Sequence, residues 1–78
     1  TEKGIYVGDG LYDVFGAYGL ADITPNEESQ NNGYIVSYFL DGCGQVCSTA
    51  RAKKKISFYF DENMIKINYF SISNISKR

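Results

Sequence analysis

Ile56-Ser57-Phe58-Tyr59-Phe60-Asp61-Glu62-Asn63-Met64-Ile65-Lys66-Ile67-Asn68-Tyr69 decides the fold. Ile56, Phe58 and Phe60 alternate with Ser57 and Tyr59, a period of two that fits a strand with one buried face. Asp61-Glu62-Asn63 supplies turn residues, and Ile65, Ile67 and Tyr69 then alternate with Lys66 and Asn68. Two such runs around a short polar turn predict a β-hairpin. Beyond Tyr69 the apolar phase moves to Phe70 and Ile72, which predicts a β-bulge or a bend in the second strand.

Working back from the hairpin, Gln45 to Lys53 contains helix formers, with Val46, Cys47 and Ala50 on one side, and reads as a short helix. Tyr34-Ile35-Val36-Ser37-Tyr38-Phe39-Leu40 is nearly apolar throughout, as a central strand is, and Asp41-Gly42 turns it. Thr24 to Gly33, with the only proline at Pro25 and a polar run before Gly33, reads as a loop. Leu11, Val14, Phe15 and Tyr18 recur at i, i+3, i+4 and i+7 and share one helical face. Asp9 is the expected N-cap and Gly19 the expected end of that helix; Gly16 inside it leaves a glycine-broken strand as the alternative. Gly4-Ile5-Tyr6-Val7-Gly8 reads as a first strand. The expected order is β-α-β-α-β-β, an α+β fold in which two short helices pack on one face of a small antiparallel sheet.

The 78 residues suffice for one domain, 1–78, with a modest core. Hydrophobic residues at 44% and charged residues at 22% are ordinary for a globular chain and argue against disorder. Seven tyrosines and five phenylalanines make 15% aromatic residues. Tyrosine suits half-buried strands and binding surfaces alike, because its ring is apolar and its tip polar. No apolar run reaches the roughly 18 residues of a membrane span. The start, Thr1-Glu2-Lys3-Gly4, lacks the pattern of a signal peptide, and fits either a cytosolic chain or a mature secreted one.

Charge is unevenly placed. Residues 1–50 hold seven acids (Glu2, Asp9, Asp13, Asp22, Glu27, Glu28 and Asp41) against Lys3 alone, a net of −6. Residues 51–78 hold seven bases against Asp61 and Glu62, a net of +5. The two halves either screen each other inside the fold or steer a partner.

Chemistry is scarce. There is no histidine, so Ser-His-Asp and Cys-His arrangements cannot form. Glu27-Glu28 and Asp61-Glu62 fall in expected turns, where solvated carboxylates are the rule. Gly8-Asp9-Gly10 lacks the third glycine of a nucleotide fingerprint. Cys43 and Cys47 form a C-x3-C pair with three open states: a disulfide within or between chains, buried free thiols, or half of a metal site. Two thiolates without histidine do not complete a zinc site, so neither metal nor cofactor is expected. Arg51, Lys53, Lys54 and Lys55 precede the Tyr/Phe strand, and with Tyr59 and Tyr69 they are the candidate binding residues. Such a segment can track nucleic acid, but a pI near 5.2 opposes that partner. The other reading of the lysines is a charged guard at the edge of an aggregation-prone hairpin.

At the C-terminus, Lys77-Arg78 is a dibasic pair of the kind cut by processing proteases of the secretory pathway, and Asn74-Ile75-Ser76 matches an N-glycosylation sequon. With the expected order of elements, the small size and Thr1 as a mature terminus, the chain resembles the small secreted fungal killer toxins of the α/β-sandwich type. The resemblance implies a secreted, non-catalytic toxin or effector subunit that acts on a protein or cell-surface target and can associate with a second subunit. The alternative is a cytoplasmic inhibitor or immunity-type protein that binds an enzyme through its acidic face.

Overall fold

The computed structural model describes residues 1, 3–27, 33–63 and 65–75. Helix α1 (Leu11–Tyr18) is followed by strands β1 (Ile23–Pro25) and β2 (Tyr34–Leu40), a 3-10 turn (Thr49–Arg51), and strands β3 (Lys54–Phe60) and β4 (Ile67–Asn74). The strands pair antiparallel in the order β1-β2-β3-β4, an open meander. The α+β class holds. The expected two-helix order does not appear, since one helix and a 3-10 turn stand where two helices were expected.

Helix α1 forms where the 3.6-residue periodicity placed it. Val14 and Tyr18 are buried, and Leu11 and Phe15 pack beside them. Its N-cap is Gly10 and not Asp9. The Asp13 carboxylate accepts the Gly10 N–H at 2.9 Å, holding the first turn from within the helix. Asp9 instead accepts the Tyr6 N–H at 3.0 Å and closes the preceding turn. Gly19 ends the helix at φ +98°, a left-handed conformation that favours glycine, and its N–H bonds to Phe15 O.

Gly4 to Gly8 is not a strand. Ile5 alone enters the core, and turns with positive φ at Gly4 and Gly8 take the chain away on either side. The expected second helix over Gln45 to Lys53 is also absent. The Asp41 carboxylate accepts the N–H groups of Cys43 (2.8 Å) and Gln45 (3.0 Å), and Gly44 takes φ +84°. That turn folds Val46 back against Leu40 as an isolated bridge, so the helix cannot start. The expected loop begins instead with the short edge strand β1, whose Thr24 hydroxyl donates to Ile35 O.

The hairpin is present, tightened by Asp61, whose carboxylate accepts the N–H of Asn63 and of Ile65. The bulge lies at Asn68, just before Tyr69. Tyr59 pairs with Tyr69 while Phe60 pairs with Ile67, so one extra residue is accommodated in β4. That insertion lets Ile67 and Phe70, three apart, both turn toward the core.

The core lies between α1 and one sheet face: Val36, Tyr38 and Leu40 from β2, Ile56, Phe58 and Phe60 from β3, and Ile67. Tyr18 stacks on Tyr38 (5.2 Å between centroids) and leans on Phe58 (5.5 Å). The Tyr38 hydroxyl donates to Gly19 O at 2.7 Å. Burial, with the Tyr18 hydroxyl as a lesser cause, pushes Tyr38 up to about 12. The folded state therefore favours the neutral phenol. Its contribution to stability is complete below the ordinary value of 10.0 and is lost as pH rises from there through about 12. Urea unfolding across that range is expected to show this loss in the wild type. In Tyr38→Phe it should be flatter, with a baseline lower by about 1 kcal/mol at neutral pH for the missing hydrogen bond. An equally steep alkaline loss in the variant would assign the effect elsewhere.

Candidate binding surface

Strand alternation sends every second residue to the face opposite α1. The registers align these residues in rows across the strands: Thr24, Ile35, Tyr59 and Tyr69; then Ser37, Ser57 and Ser71; then Phe39, Lys55 and Ser73. No helix covers this face among the described residues. Two bulky banks flank a row of serines. On the first bank the Tyr59 and Tyr69 rings stack 4.3 Å apart at 12°. On the second, Lys55 Nζ sits 5.8 Å from the centre of the Phe39 ring, within cation–π reach. Between them the Ser37 and Ser57 hydroxyls are 2.9 Å apart and hydrogen-bonded, and Ser57 is buried by its larger neighbours. The result is a shallow trough floored with hydroxyls and walled by aromatic rings.

The lysine run does not act as one patch. On a strand, consecutive side chains point to opposite faces, so Lys55 joins the bare face while Lys54 falls on the helix side beside Tyr18 and Leu40. Arg51 is exposed on the 3-10 turn, and Lys53 is exposed at the sheet end beside Gly42. Of the six candidate residues, Lys55, Tyr59 and Tyr69 come together, and Arg51, Lys53 and Lys54 do not join them. Ile35, Ser37, Phe39 and Ser57 complete the surface.

No protein-family model, curated protein or solved structure matches this chain.

The charge split along the sequence becomes a split along the strands. Lys54 and Lys55 begin β3 at one end, near Arg51, Lys53 and Lys3, whose ammonium reaches Gln45. At the other end lie Asp61 and Glu62, with Asp9 and Asp13 brought alongside because Gly8 and Asp9 bond to Ile67, so four acids there outnumber one base, Lys66. Beside the Gln45 and Cys43 N–H groups, Arg51 lies close enough to Asp41 to help hold its carboxylate ionised, so the two halves screen each other in part at the basic end. Tyr12 and Ile65 are exposed at the acidic end, on either side of a shallow cleft floored by Leu11.

The remaining carboxylates serve turns. The N–H groups of Gln45 and then Cys43 hold Asp41 below its ordinary value, so it stays ionised and is poorly suited to proton transfer. Cys43 is exposed and Cys47 half-buried, both as free thiols, and the Cys47 N–H donates to Phe39 O. Among the described residues no three His, Cys, Asp or Glu side chains gather as a metal site requires. No helix there is long and apolar enough to cross a membrane. Asn74 is exposed at the end of β4. Glu28, Lys77 and Arg78 lie outside the described residues.

Proposed function

We propose that this chain is a non-catalytic recognition protein whose uncovered sheet face docks on a protein target. The observation that carries the reading is the bare face across β2, β3 and β4, with a stacked tyrosine pair and Lys55 on it. Tyrosine gives a large, stiff contact area at low conformational cost, which is why it anchors interfaces. Among the described residues Lys55 is the only charged side chain within the strand rows of this face, so the fitting partner is mainly neutral there and presents one carboxylate. A toxin or effector subunit acting on such a partner at a cell surface is the role we favour, although the order of elements on which the resemblance to secreted toxins drew is not the one the fold has.

A photo-crosslinking side chain placed at Ser71 on the bare face, and separately at Tyr12 on α1, tests this on a cell-surface protein fraction. A discrete adduct from Ser71 is expected. Tyr59→Ala should weaken its formation on the order of 30-fold, the size of a tyrosine hot spot, and Lys55→Glu should abolish it. An adduct from Tyr12 with none from Ser71 would sink the proposal. That outcome would support the second reading, an inhibitor-type protein, which rests on exposed Tyr12 and Ile65 among Asp9, Asp13, Asp61 and Glu62. Thiol quantitation on protein from its natural source separates the compartments: Cys43 and Cys47 both free would argue for the cytoplasm.

A further inference from the structure

The two edges of the sheet differ. At one edge, β1 is three residues long and includes Pro25. Shortness and proline are devices by which proteins keep an edge from pairing. At the other edge, β4 runs for eight residues, Ile-Asn-Tyr-Phe-Ser-Ile-Ser-Asn, with no charge and no proline. The Ile75 N–H bonds to Lys53 O, and Asn74 is opposite Lys54. This phase turns the backbone groups of Tyr69, Ser71 and Ser73 toward β3 and those of Phe70, Ile72 and Asn74 outward. Nothing among the described residues bonds to these outward groups. The edge is closed only at Ile67, whose outward N–H and C=O are taken by Asp9 and Gly8.

We propose that two copies of this chain pair through β4, antiparallel, about a two-fold axis at Ile72. The axis places Ile72 opposite its own copy and Phe70 opposite Asn74, and about six main-chain hydrogen bonds join the strands. No like charges meet across the seam because β4 carries none. Ile72, 51% exposed, sits on the core side of the sheet next to Ile56, and the copy covers it. The charge distribution selects the second copy and its direction. Antiparallel strands set the acidic end of each molecule, Asp9, Asp13, Asp61 and Glu62, alongside the basic end of the other, Arg51, Lys53, Lys54 and Lys55. Parallel pairing would bring like ends together. The contact is isologous, and the protected β1 edge keeps it from growing beyond two. The dimer has one eight-stranded sheet and a doubled bare face.

Sedimentation equilibrium combined with site-resolved amide exchange tests the dimer. Wild type is expected to approach twice 8.7 kDa with rising concentration. The amides of Phe70, Ile72 and Asn74 should gain protection over the same range. Ile72→Lys sets two ammonium groups face to face and should remain monomeric, with those three amides unprotected. The amides of Tyr69, Ser71 and Ser73, which bond to β3, should stay protected and show that the fold is intact. A wild type that stays monomeric to its solubility limit would overturn the proposal. So would a dimer that persists undiminished in Ile72→Lys.

Discussion

Phe58→Ala is expected to lower the unfolding free energy by about 4 kcal/mol, within the range for emptying a buried phenylalanine site. The ring is fully enclosed. It is touched by Tyr18 from the helix, by Tyr38 at 6.3 Å from β2 and by Phe70 at 5.9 Å from β4, so one side chain links every layer of the core. These neighbours are large and stiff, and the space collapses poorly when the ring is removed. A chain of 78 residues holds on the order of 4–12 kcal/mol of stability, so the variant should lose between a third and all of it. Urea unfolding by circular dichroism reads the effect directly. Phe58→Leu should recover more than half of the loss, and a loss under about 1 kcal/mol for alanine would mean that the ring is not the keystone described.

Gly33→Ala should cost about 3 kcal/mol, at the upper end for overpacking. A Cβ there would collide with the carbonyl oxygen of Phe60, which belongs to the central ladder and cannot swing aside. Nor can the loop slide away, since Gly33 O accepts the Asn26 N–H at 2.8 Å and Tyr34 is registered opposite Phe60. Gly16→Ala is the control, because nothing lies within 4 Å of the added carbon. If the two alanine variants melt at the same temperature, the close approach of Gly33 to Phe60 is wrong.

Periodicity made β3, β4 and α1 legible because each carries a core-facing pattern over seven or more residues, and β2 was legible as an unbroken apolar run. The bulge was legible too, to within a residue or two, from the change of phase around Tyr69. What misled was local propensity without a matching face. Gln45 to Lys53 favours a helix, but Asp41 and Gly44 build a turn that only the Leu40–Val46 pairing explains. Gly4 to Gly8 carries strand formers around one core residue, Ile5, and a single anchor needs no ladder. Tyr59 and Tyr69 share a surface only because of the bulge, since strict alternation would set Tyr69 with Ile65 and Ile67 on the face opposite Tyr59. Ile35 and Phe39 could not be placed on it, since β2 is apolar on both faces and only its register with β3 tells outside from inside. The lysine run looked like a patch because a sequence shows adjacency and a strand undoes it.

The stacked pair on the open face also gives the protein a built-in optical probe. There is no tryptophan, so near-ultraviolet absorption and emission come from tyrosine without a stronger chromophore over them. Two phenol rings stacked 4.3 Å apart and nearly parallel couple their transitions, and the coupled signal depends on their mutual angle. A molecule that seats on Tyr69 must change that angle or its solvation. Occupancy of the trough can therefore be followed on the unmodified chain, without a label.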